Sequence, residues 1–122
     1  MNETGDVEGP VLDEDVLREL RGGGGLSDIL AEVAGDWDEQ SRTLVPSLLA
    51  ALSSGELAAA RQGAHSLAGS SAMLGAFRLA AACREIEAEC VAGRPASPAL
   101  VERMLDELAR ARAALEQAAT PS

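Results

Sequence analysis

Large apolar side chains return every third or fourth residue along most of this chain, and the runs break where glycine and proline gather. Leu57, Ala60, Ala64, Leu67, Ser71 and Leu74 show the spacing most clearly. It is the period of a helix with one buried face, not of a strand. Similar spacing links Leu12, Val16, Leu17 and Leu20, and then Ile29, Leu30, Val33, Trp37, Leu44, Leu48 and Leu52. It returns in Phe77, Ala80, Cys83, Ile86 and Cys90, and again in Val101, Met104, Leu105, Leu108, Ala111 and Leu115. With one Phe, one Trp, no Tyr and no β-branched cluster beyond scattered valines, the composition gives no support to strands. The expected fold class is all-α: an antiparallel four-helix bundle with a short additional N-terminal helix.

The punctuation sets the expected boundaries. Residues 1–10 are acidic, contain glycine and end at Pro10, and read as a flexible lead-in to a helical domain over residues 11–119. A short helix over Leu12–Arg21 opens on Asp13, Glu14 and Asp15, whose charge suits a helix N-terminus, and stops at Gly22–Gly25. A long helix follows to about Ser53 with Ser27 as N-cap, and Pro46 predicts a kink or break between Arg42 and Pro46. Ser54-Gly55, Leu74-Gly75-Ala76 and Gly93-Arg94-Pro95 separate the remaining helices, and Ser97-Pro98 opens the last one.

At 122 residues the chain is of single-domain length and carries a formal net charge of −10, with every basic residue an arginine. That balance argues against nucleic acid, whose phosphates would be repelled. No stretch approaches the roughly 20 apolar residues that cross a bilayer, and Met1–Asp6 is acidic and polar where a signal peptide would be basic and then apolar. The expected location is cytoplasmic, with no membrane insertion. Cys83 and Cys90 lie about 10 Å apart along one predicted helix, too far for a bridge, and read as reduced core residues. With a single histidine and no Cys-x-x-Cys, local spacing assembles no metal cluster.

That histidine, His65, lies off the buried stripe of its helix. Its neighbours at helical spacing are Arg61 on one side and Ala68, Gly69 and Ala72 on the other, so nothing tall stands beside the ring and a partner can approach it. Residues 57–84 hold Arg61, Arg78 and Arg84 but no Asp or Glu, a locally cationic segment suited to an anionic group. Taken alone, a lone surface histidine and a few solvated arginines are ordinary helix furniture.

The surrounding motif changes that reading. Ala64-His65-Ser66-Leu67-Ala68-Gly69-Ser70-Ser71-Ala72-Met73-Leu74-Gly75-Ala76 resembles the signature of the histidine-containing phosphotransfer (HPt) domain family. In that signature an alanine–histidine pair precedes a leucine, a lysine–glycine pair, small or hydroxyl residues and then leucine-glycine-alanine. Trp37 and Ala51–Glu56 resemble the family's second helix and its junction, and the resemblance spans roughly residues 12–116. It implies a helical bundle whose histidine takes a phosphoryl group from an aspartyl phosphate on a receiver domain and passes it to another. His65 would be the phospho-acceptor, and Arg61, Ala64, Ala68, Gly69 and Ala72 the partner-facing positions, with Gly69 leaving the face open. The implied partners are a response-regulator receiver domain and a hybrid histidine kinase. No cofactor is expected on this chain, since magnesium would sit on the receiver. Such a carrier is a phosphotransfer intermediate and not an enzyme with turnover of its own.

A neutral ring nitrogen is a competent nucleophile near pH 7, and phosphoryl transfer asks mostly for positioning and charge neutralisation. One departure bears on this: the family's lysine three residues after the histidine is Ala68 here, and a frequent polar position eight after it is Met73. Arg61, one turn before His65, can substitute in part, although guanidinium and ammonium are not interchangeable. The alternative is a degenerate docking module that binds a receiver without transfer. A third reading is an oligomerising bundle with an incidental His65; the absence of strict heptads with charged flanks weighs against a simple coiled coil, and a hydrolase lacks a second acid or base near His65 in the sequence.

Overall fold

The computed structural model describes residues 9–23 and 28–119, and among them every regular element except a 3₁₀ turn at Gly23 is an α-helix. The helices are α1 (Glu14–Leu20), α2 (Leu30–Ser54), α3 (Leu57–Met73), α4 (Phe77–Val91) and α5 (Pro98–Ala119). α2 packs on α3, α3 on α4, α4 on α5 and α5 back on α2, closing a four-membered ring. The expected bundle with a short leading helix is therefore present. Cross-links such as Arg78–Glu107 and Arg103–Glu85, in which residue numbers rise on α4 as they fall on α5, fix the antiparallel sense.

The ends of the helices follow from local chemistry. Asp13 accepts a hydrogen bond from the Val16 N–H and caps α1. The Ser97 hydroxyl accepts from the Leu100 N–H in the first turn of α5. α2 ends at Gly55 with φ 77°, a left-handed conformation that glycine adopts without Cβ strain. At the other end of α2, Asp28 Oδ1 accepts from the Leu30 N–H. The expected Ser27 cap and most of the lead-in, residues 1–8, lie outside the described residues.

Pro46 does not break α2, which runs unbroken from Leu30 to Ser54. Proline leaves the carbonyl of Arg42 without its helical donor. Pro46 and Arg42 both lie on the exposed side of the helix, where water can take that donor's place.

The core is built from Leu30, Trp37, Leu48, Leu67, Leu79, Ile86 and Met104 with alanines between them. Two polar staples cross it. Trp37 Nε1 donates to Ser71 Oγ at 3.0 Å, joining α2 to α3. Arg112 of α5 donates to Asp38 at 2.7 Å and to Ser41 at 3.0 Å, joining α5 to α2. α1 closes one end of the bundle by burying Leu12 and Leu17 beside the α3–α4 turn. There the Asp13 N–H donates to the Gly75 carbonyl at 2.9 Å. Gly75 is required twice: its φ is 79°, and a Cβ would lie 3.0 Å from both Asp13 N and Val16 Cβ.

Both cysteines are buried and unbridged, and burial pushes the Cys83 thiol up to about 12. No helix among the described residues is long and apolar enough to cross a membrane.

Candidate functional site

His65 stands halfway along α3, its side chain 58% exposed, on the face turned toward α4. The helix holds it there because Ala60, Ala64, Leu67, Ala68 and Ser71 take the fully buried face, and His65 stands at the edge of that stripe. Across the α3–α4 hairpin, Glu87 Oε2 lies 3.0 Å from His65 Nδ1. A carboxylate only accepts, so the proton between them sits on Nδ1 and the lone pair of neutral imidazole is on Nε2. Glu87 thus fixes the tautomer and aims the free nitrogen away from itself. Its own side chain is only 21% exposed, so the acceptor is more firmly seated than the ring it orients. Arg61, one turn before His65, brings Nη1 to 3.9 Å from the same oxygen.

The remaining expected positions divide. Gly69 is exposed and an added Cβ would meet nothing within 4 Å, so the surface beside the ring is open. Ala72 is half-buried at the edge of that surface. Ala64 and Ala68 have no exposed area, and their expected place on the partner face is corrected: both belong to the core seam. Ala68 lies four residues after Ala64 and so continues the buried stripe. The cationic segment also needs correction, because the Arg78 guanidinium is taken up by acceptors within the chain, its side chain only 19% exposed. It donates through Nε and Nη2 to Glu107 Oε2 and through Nη1 to the Gly9 carbonyl.

Three residues add to the site beyond the expected set. Glu87 supplies the acid that the local sequence around His65 lacks. Met73, 70% exposed, extends the His65–Gly69 stripe toward the end of α3, and Phe77, 48% exposed, begins α4 beside it. Phe77 was expected on the buried face of its helix; the Gly75 turn instead leaves its ring half in solvent. Among the described residues no three His, Cys, Asp or Glu side chains converge as metal ligands.

The site is therefore an exposed imidazole anchored through Nδ1 to a carboxylate, with a small-residue clearing leading to an apolar edge. A family model for the Hpt domain matches residues 32–117, from α2 through nearly all of α5. Among solved structures, histidine-containing phosphotransfer protein B (HptB) from Pseudomonas aeruginosa PAO1 superposes with a TM-score of 0.78. It is 34% identical in sequence, with 90% of this chain and 95% of that chain covered. No curated protein sequence matches. The family model's span and this likeness together show that the chain belongs to the Hpt domain family.

Proposed function

We propose that this chain is a phosphorelay carrier in two-component signalling, with His65 as its phospho-acceptor. The observation that carries the reading is the His65 Nδ1–Glu87 Oε2 contact at 3.0 Å, which in the neutral ring puts the lone pair on Nε2 of an exposed side chain. The Nε2 lone pair forms a bond to phosphorus as the bond from phosphorus to a receiver's aspartyl oxygen breaks, and the carboxylate leaves with that electron pair. The ring becomes an imidazolium whose Nδ1 proton stays against Glu87, so the new positive charge forms beside a carboxylate already in place. Passing the phosphoryl group to a second receiver reverses these steps.

Receiver domains are the partners this surface suits, with the donor kinase a hybrid histidine kinase. Gly69 gives clearance beside the nucleophile, and Met73 with Phe77 offers apolar area for a docked protein. Magnesium belongs to the receiver's half of the reaction, and a carrier of this kind turns over nothing alone. Ala68 favours one other reading, a module that docks on receivers without accepting phosphate, because the position supplies no cation.

Labelling decides between them. After incubation with phosphorylated receiver domains, or with phosphoramidate as a partner-free donor, wild type should carry acid-labile, base-stable phosphate on His65. His65→Gln should carry none while keeping its helical content and melting temperature, because the ring lies off the core. Labelling retained in that variant would end the assignment. Receiver binding without labelling would establish the docking-only reading.

A further inference from the structure

Glu87 Oε2 has two basic neighbours, and they are not held alike. His65 Nδ1 is at hydrogen-bond distance, 3.0 Å, whereas Arg61 Nη1 stands off at 3.9 Å with its side chain 43% exposed. Arg78 and Arg112, by contrast, are each fixed through several N–H groups to acceptors on other segments. Arg61 is thus kept near the carboxylate without being clamped to it.

Its place on α3 gives this consequence. Arg61 and His65 are four apart, and helical side chains lean toward the N-terminus, so the imidazole leans over the turn that Arg61 occupies. The guanidinium is no farther from Nδ1 than the two contacts through Oε2 laid end to end. Before transfer Arg61 balances the Glu87 charge. Once a phosphoryl group is on Nε2, the imidazolium balances Glu87 instead, and the phosphoryl oxygens become the uncompensated charge. Position 68, the lysine site of the family signature, offers only a buried methyl group.

We infer that Arg61 is the cation that receives the phosphoryl group of phosphorylated His65, resting against Glu87 in the unmodified protein and turning to the phosphoryl oxygens after transfer. The inference rests on the phosphorelay reading. It moves the neutralising charge from the residue one turn after the histidine to the residue one turn before it.

The test uses the full chain and potassium phosphoramidate, so that no receiver contact is involved. The donor's P–N bond breaks, ammonia leaves, and Nε2–P forms. Wild type, Arg61→Lys and Arg61→Ala are compared with Arg110→Ala, which removes an exposed arginine paired with Asp106 on α5. Arg61→Ala should load His65 three- to tenfold more slowly and move the phosphohistidine ³¹P resonance, with the melting temperature unchanged. Arg61→Lys should recover most of the rate, and Arg110→Ala should match wild type. Wild-type loading by Arg61→Ala overturns the inference, as does an equal loss in Arg110→Ala, which would reduce the effect to net charge. If wild type itself takes no phosphate on His65, the phosphorelay reading falls, and the inference with it.

Discussion

An added methyl group at Gly69 would touch nothing, and the backbone there is ordinary helix with negative φ. Gly69→Ala should therefore stabilise the protein by about 0.5–1 kcal/mol, because glycine in a helix interior loses more backbone freedom than alanine. The same methyl group projects into the clearing beside His65. Phosphoryl transfer from a receiver should slow while loading from phosphoramidate stays as in wild type. Urea denaturation and the two labelling rates check this, and slowing with both donors would show that the methyl group disturbs the imidazole itself. At this scale the sequence was uneven. His65 and Gly69 were legible because their motif is contiguous. Glu87 was not, since it lies 22 residues from the histidine and meets it only when α4 folds back on α3. Ala64 and Ala68 were placed on the partner face beside the motif histidine, although Ala64 already belonged to the apolar repeat and Ala68, four residues on, continues it.

Between elements, the α4–α5 seam contains a charge that has left water. The Glu107 side chain is 5% exposed, and Arg78 is its ion-pair partner, with both N–H groups on one carboxylate oxygen. The other oxygen, Oε1, is buried with no partner among the described residues. Removing one member of such a pair leaves an uncompensated buried charge. Arg78→Met should cost about 3–5 kcal/mol in urea denaturation, while Arg78→Met combined with Glu107→Leu should return most of it. A silent single variant would mean that the pair is solvated. Sequence could not find this contact, because Arg78 reads as one more exposed cation until α5 is in place. The helices themselves were legible, since Asp13, Gly55, Gly75 and Ser97 punctuate the chain by local chemistry. Pro46 misled because its effect depends on whether the freed carbonyl meets water or core.

Across the whole molecule the bundle closes through contacts of very different reach. The Arg112–Asp38 staple joins residues 74 apart. Hydrogen bonds from Arg42 and then Arg112 hold the Asp38 carboxyl below its usual value of 3.8. A depressed carboxyl contributes stability that is complete above its unfolded value and drains away as pH falls through the folded one. Melting temperature should therefore drop as pH falls below about 4, and Asp38→Asn should flatten part of that drop. The ordered imidazole and its acid, by comparison, belong to a single hairpin whose strands of contact are short in sequence. Local contacts cost little chain entropy to close, so this hairpin should assemble early and open last. Amide hydrogen exchange would read it directly, with α3 and α4 protected up to global unfolding while α1 and the ends of α5 exchange through smaller openings. If the α2–α5 seam opens before the α3–α4 hairpin, the imidazole and the acid that orients it should stay together through the first stage of unfolding.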